Sequence, residues 1–281
     1  MTSSLRPLAR AHDELAEGFA RLHDSPALVL PNAWDAASAR IVEHAGAAAV
    51  ATTSAGVAWA LGSPDGNAVD RDQALSVVAR VVAAVGVPVT ADIESGLGES
   101  ADDLAATIRG VLDAGAVGIN IEDSGFEPLR PMAAQADRLR VVRDVASRAG
   151  TALFVNARID TYLMSAGEPR DRLAETLRRS EAYLAAGADG IFVPGVLDLG
   201  ILAQLVAAIP APLNVLAGSG GPTVTQLRDI GVRRISAGSS LAQAAYDVVD
   251  RAARELLTGG TYGALERNLD YGRMNALLAP H

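Results

Sequence analysis

The chain has 281 residues, 49% hydrophobic and only 4% aromatic, enough for a sizeable core packed by small and branched side chains. Its net charge is −9 with no basic tract, which argues against nucleic acid as a partner. It has no cysteine, and all 24 basic residues are arginine, which excludes disulfides, thiolate nucleophiles, Schiff-base lysines and Walker-type phosphate loops.

The first residues, Met1 to Phe19, mix charges and lack the apolar stretch of a secretory signal, so a cytoplasmic protein is expected. A leading helix is predicted over 8–22. A strand over 27–30 follows, then a helix over 35–45 with Asp35 as N-cap. Residues 45–64 carry no charge and could mimic a membrane span. Their glycines among Ala, Thr and Ser read instead as strand (48–52), loop and turn.

Helices are then predicted over 71–84, 100–114, 133–149, 170–186, 199–208, 223–230 and 240–258. The strands between them fall at 87–91, 117–121, 152–156, 190–193, 213–216 and 234–237. Four times a helix ends at a glycine (Gly46, Gly115, Gly187, Gly231) and an apolar strand follows, as expected of left-handed helix ends. Eight strands alternating with helices predict a (β/α)₈ TIM-type barrel in one domain spanning 1–281, its core about 25–257. A trailing helix over 262–278, within an extension over 261–278, follows Gly259-Gly260 and is expected to pack elsewhere, on a partner subunit. A homo-oligomer, dimer or tetramer, is therefore expected.

Chemistry in such barrels sits after the carboxyl ends of the strands. Those positions hold Asn32, Trp34 and Asp35; Thr52, Thr53, Ser54 and then Asp65; Asp92 and Glu94; Glu122 and Asp123; Asn156, Arg158 and Asp160; Pro194 and Gly195; Gly218 to Gly221; and Ser236, Gly238 and Ser239. Acids gather at strands three to five with one arginine opposite. Asp92 and Glu94 are two apart and leave an extended chain on one face. Hard oxygen donors beside an arginine suit Mg²⁺ or a similar cation with an anion next to it. None of the four histidines, His12, His23, His44 and His281, falls at a strand end, so histidine acid–base catalysis is not expected. Trp59 is read as packing or interface, and Asp160 as the residue that orients Arg158.

Several of these stretches resemble the isocitrate lyase/phosphoenolpyruvate mutase superfamily over about residues 25–240. They are the run Pro31 to Arg40; Thr53-Ser54-Ala55-Gly56 with Leu61-Gly62-Ser63-Pro64-Asp65; Asp92-Ile93-Glu94-Ser95-Gly96-Leu97-Gly98; Asn120-Ile121-Glu122-Asp123; and Asn156-Ala157-Arg158-Ile159-Asp160. The resemblance implies Mg²⁺, or Mn²⁺, held by Asp92, Glu94 and Glu122 partly through water, with Asp65 behind them. It implies a substrate carboxylate on the backbone amides of Thr53, Ser54 and Ala55, with Trp34 and Asn156 also at the substrate. Asp92, Glu122 and Arg158 would be catalytic, acting on a small carboxylate through a metal-stabilised enolate.

The chain departs from the family after strand four. Where family lyases have Lys-x-Cys-Gly-His, it reads Ser124-Gly125-Phe126-Glu127-Pro128-Leu129-Arg130-Pro131, and Pro194 stands where many members carry a histidine. Ordinary isocitrate or methylisocitrate lyase activity is not expected. A Mg²⁺-dependent carbon–carbon lyase acting on a small α-oxo or 2-hydroxy acid is, with decarboxylation of an oxaloacetate-like acid preferred because CO₂ leaves without a base. Tyr162, Glu127 and Asp123 are the candidate bases for a retro-aldol cleavage. Three alternatives stand: phosphonate carbon–phosphorus chemistry with Arg130 or Arg158 replacing the missing lysine; a phosphate handle on Gly218-Ser219-Gly220-Gly221 and Ala237-Gly238-Ser239-Ser240; or a non-catalytic oxo-acid binder.

Overall fold

The computed structural model describes residues 5–24, 26–125 and 129–279. Its strands are β1 (Leu28–Leu30), β2 (Asn32–Ala33), β3 (Val50–Thr52), β4 (Val89–Asp92), β5 (Gly118–Glu122), β6 (Phe154–Arg158), β7 (Gly190–Phe192), β8 (Leu213–Leu216) and β9 (Arg234–Ser236). All pair in parallel in the order β1-β9-β8-β7-β6-β5-β4-β3-β2. β1 and β2 are two halves of one strand, parted at Pro31, which has no N–H to give a ladder. One half pairs with β9 and the other with β3, so the ring closes as the expected eight-stranded barrel.

The helices are α1 (Leu5–Arg21), α2 (Ala36–His44), α3 (Ser54–Ala60), α4 (Arg71–Ala84), α5 (Ala101–Asp113), α6 (Met132–Ala149), α7 (Arg172–Ala185), α8 (Leu199–Ala208), α9 (Val224–Asp229), α10 (Ser240–Thr258) and α11 (Tyr271–Leu278). Asp35 caps α2 as expected, accepting from the Ser38 N–H while Ser38 reaches back. The four glycines that follow helices all have φ between 85° and 101°, which explains why glycine recurs there. The main core lies between sheet and outer helices, where Ile93, Leu104, Ile108, Ile119, Ile121 and Leu139 are all buried. Among the described residues no helix is long and apolar enough to cross a membrane.

α1 closes the amino-terminal mouth of the barrel. Its Phe19 is fully buried with Leu28, Ala49, Val117 and Phe154, all at strand beginnings. Burying such a ring contributes about 1.5–3 kcal/mol. His23 stacks on Phe154, with centroids 4.0 Å apart, and burial followed by the charge of Arg234 lowers its pKa to about 4. It is a neutral structural ring, away from the strand ends.

Two expectations need correction. The stretch 45–64 contains a helix, α3, as well as the strand. The trailing helix over 262–278 is broken into a 3₁₀ turn at Gly263–Leu265 and α11, which starts afresh at the cap Asp270. α11 folds back on its own chain, with Arg40 Nε donating to the Leu277 carbonyl at 2.9 Å. α10 is largely exposed along its length, with only Ala242 and Ala252 buried.

Candidate active site

A cavity of about 210 Å³ opens at the carboxyl ends of the strands. Asp65, Asp92 and Arg158 supply its charges; Thr53, Ser54 and Ala55 bring the start of α3; and Asn32, Asn120, Ser236 and Ser239 line the rest with neutral polar groups. Leu163, Phe192, Pro194 and Leu216 make its apolar wall.

Asp92 ends β4 and is fixed from both sides. Its N–H donates to Thr52 Oγ1 at 2.8 Å, and its Oδ2 accepts from the Ser54 N–H at 3.2 Å. Ser54, Ala55 and Gly56 form the first turn of α3, whose N–H groups have no carbonyl within the helix to bond. Asp92 takes the first of them. Ala55, next in that turn, also lines the cavity.

Glu94 follows in left-handed backbone (φ 51°), a strained conformation for a side-chain-bearing residue. The loop is held in place by Glu122 N–H donating to the Glu94 carbonyl at 2.9 Å. The Glu94 carboxylate turns aside from the cavity and accepts from the N–H of Asn67. Burial, then the proximity of Asp92 and Asp65, raises its pKa to about 7. Asp65 is likewise raised, by burial first and Asp92 second. These acids are close enough to repel one another.

Arg158 ends β6 between two carboxylates, 2.5 Å from Glu122 and 2.7 Å from Asp160. Burial opposes its charge, but Glu122, Asp160 and Asp92 outweigh that and hold it above the ordinary arginine value. Glu122 also accepts from Ser124 Oγ, and burial raises its pKa despite the arginine. Behind this pair Asp123 is fully buried. It accepts from Tyr183 OH at 2.8 Å, Arg179 Nη1 at 2.9 Å and the Asp160 N–H at 2.9 Å. Asp123 is therefore a strut that sets Asp160, and through it Arg158, rather than the base considered for it.

Of the residues singled out from sequence, Thr53, Ser54, Ala55, Asp65, Asp92 and Arg158 meet in the cavity. Trp34 and Asn156 do not line it. The Trp34 backbone N–H donates to Ser38 Oγ, and the Asn156 amide lies in the barrel interior on Asn120 and Asn214. Asp65, expected behind the metal ligands, lines the cavity, whereas Glu94 and Glu122 flank it. Among the described residues no three acids stand together as a ready ligand set. Tyr162 lies outside the cavity, Arg130 is directed to Glu99 at 3.3 Å, and Glu127 lies outside the described residues.

The glycine turn Gly218 to Gly221 is also off the cavity. The N–H groups of Ala237 and Gly238 already donate to Asn32 Oδ1, at 3.0 and 2.8 Å, which removes them from any phosphate handle. Asn120, given no role from the sequence, also lines the cavity. Its spacing of two from Glu122 on β5 puts the two side chains on the same face of the strand.

The fold is a (β/α)₈ barrel with a small cavity, lined by two acids and one arginine, at the carboxyl ends of its strands. The model of the phosphoenolpyruvate phosphomutase family matches residues 19–257. An uncharacterized protein of Mycobacterium tuberculosis H37Rv is 35% identical over 92% of this chain and 95% of its own. A solved structure from Burkholderia cenocepacia J2315, described provisionally as a lyase/mutase, is 38% identical with a TM-score of 0.88, covering 95% of this chain and 96% of that one. An oxaloacetate decarboxylase of Ectopseudomonas mendocina is 29% identical over 69% of this chain and 67% of its own. The chain belongs to the phosphoenolpyruvate mutase/isocitrate lyase superfamily of carbon–carbon lyases and mutases.

Proposed function

We propose that this protein is a Mg²⁺-dependent lyase that cleaves a carbon–carbon bond of a small α-oxo carboxylate, with decarboxylation of an oxaloacetate-like acid as the preferred reaction. The observation that carries the reading is the convergence of Asp92, Asp65, Arg158 and the first turn of α3 on one small cavity. Its 210 Å³ falls below the ~300–1,000 Å³ of pockets for drug-sized ligands. A short acid fits; a long one does not.

The donor chemistry fits a hard divalent cation. Burial and the nearby Asp92 carboxylate raise the pKa of both Asp65 and Glu94, a repulsion that a cation relieves. Mg²⁺ characteristically takes one or two carboxylates and keeps several waters. Asp92 and Asp65 would hold it, with Glu94 and Glu122 reached through water. Bound there, the cation supplies Lewis-acid stabilisation of the charge that develops on the oxo oxygen.

The chain's own residues do the remaining work. Arg158, held by Glu122 and Asp160, binds the substrate beside the bond that breaks. The backbone at Ala55 receives the carboxylate. Phe192, Leu163 and Leu216 exclude water from the developing charge. Loss of CO₂ needs no base at the leaving group, which suits a cavity lined by no histidine, cysteine or lysine.

We also read the protein as a homo-oligomer. Val248, Val249, Leu256 and Leu257 on α10 are exposed, and a second copy covering them would bury that apolar face. The functional test is formation of pyruvate from oxaloacetate with Mg²⁺, measured against Asp92→Ala as the blank for metal-catalysed background. Turnover well above that blank supports the reading. Turnover of phosphonopyruvate instead would transfer the same site to carbon–phosphorus chemistry.

A further inference from the structure

Beneath the cavity lies a charge that the reaction above does not use. Arg234 on β9 is 1% exposed and forms no ion pair with any described residue. It reaches across the barrel interior to β5, where its Nη2 donates to Asn120 Oδ1 at 3.0 Å. Its Nε and Nη1 have no hydrogen-bond partner among the described residues. On the amino-terminal side its guanidinium stands 5.8 Å from the ring centroid of Phe19, within cation–π range. An uncompensated buried cation is a poor device for stability, and apolar replacement of such groups is often neutral or stabilising. Its position has a different consequence.

Asn120 Oδ1 accepts a second hydrogen bond, from Asn156 Nδ2 at 2.8 Å. Arginine has donors and no acceptor, so the amide oxygen must face it, and the orientation that is ambiguous for most asparagines is decided here by chemistry. Asn156 also donates to Asn214 Oδ1 at 3.0 Å, and Asn214 to Ser236 Oγ at 3.1 Å, so one set of bonds orients the whole layer. With its oxygen held below, Asn120 has only Nδ2 left to present. Asn120 lines the cavity, and it pairs in register with Asp92 on the neighbouring strand.

We propose that Asn120 touches the substrate, donating from Nδ2 to an oxygen of the bound acid, and that Arg234 is the positioning residue that holds the amide in that orientation. The proposal builds on the reading of this cavity as an anion site. It adds a neutral donor on the wall next to Asp92 and a role for a buried cation that contacts no ligand.

The test is calorimetric titration of oxalate at saturating Mg²⁺, together with thermal melting. Asn120→Ala should weaken oxalate about 10- to 100-fold, the loss of one hydrogen bond to a charged oxygen. Asn120→Asp should weaken it further, because a like-charged acceptor replaces the donor. It should nonetheless melt higher than Asn120→Ala, because the new carboxylate pairs with Arg234. Arg234→Met should melt at or above wild type yet bind oxalate more weakly, and Arg234→Lys should recover part of the affinity.

A purely structural role for Asn120 gives the reverse order, with Asp binding as well as or better than Ala; that order, or unchanged binding in Arg234→Met, overturns the proposal. If the wild type takes up no oxalate with Mg²⁺, the functional reading fails separately. The side-chain amide of Asn120 then decides the orientation claim by NMR, its signals identified by their loss in Asn120→Asp. Shifted or doubled signals in Arg234→Met support the proposal, and unchanged signals overturn it.

Discussion

Glu94 should destabilise the metal-free fold as pH rises. The residue is largely buried beside Asp92 and Asp65, and its pKa is raised from 4.5 to about 7, by burial first. Between those values the folded chain holds a proton that the unfolded chain has released. The stability this confers is full below about pH 4.5 and is lost as pH rises through 7. The interval corresponds to about 3.4 kcal/mol, reduced to about 2 kcal/mol by solvent reaching the side chain. Glu94→Gln keeps the shape and the hydrogen bond from Asn67 but removes the titration. In urea unfolding with a chelator present, variant and wild type should be equally stable near pH 4.5. Near pH 8 the variant should be about 2 kcal/mol more stable. Mg²⁺ should narrow that gap, because a cation favours the ionised wild type. A difference that is the same at both pH values would refute the assignment of the cost to this carboxyl.

Three other perturbations probe different parts of the molecule. A Cβ on Gly56 would lie 2.8 Å from both Thr53 Cγ2 and Trp34 Cβ, so Gly56→Ala must shift the first turn of α3. It should cost about 1–3 kcal/mol in unfolding experiments, and calorimetry should show weaker oxalate binding. Tyr183→Phe removes a hydrogen bond to the buried Asp123 carboxylate. It should lower stability by about 1.5–3 kcal/mol while oxalate affinity holds, since the phenol acts on the strut and not on the ligand. Val249→Glu places a charge on the exposed face of α10 and should shift sedimentation toward the monomer; a wild type that already sediments as a monomer contradicts the oligomer reading.

The barrel was legible because its signals are local. Apolar strands, glycines after helices and the Asp35 cap each follow from the chemistry of a few neighbouring residues. α3 escaped notice because Ser54–Ala60 is uncharged, and its cap Thr53 makes no side-chain hydrogen bond. The break between Gly263–Leu265 and α11 depends on Asp270 restarting the helix, which competed poorly with an apparently continuous pattern.

In the site, Asp92, Arg158 and the Thr53–Ala55 segment could be placed from their positions at strand ends. Asn156 is spaced correctly from Arg158 to face inward, but its amide is committed to Asn120 and Asn214. Trp34 lies with its Cβ against Gly56 and does not line the cavity. Which inward residue reaches the cavity depends on partners from distant strands, as Arg234 and Asn120 illustrate, and no spacing rule carries that information.

The measurement that bears most directly on the metal–anion site is calorimetric titration of oxalate with and without Mg²⁺, on wild type and Asp92→Ala. Binding that requires both the cation and Asp92 is the predicted result. Binding indifferent to both would contradict the account and leave Arg158 and the first turn of α3 as an anion site that works without metal.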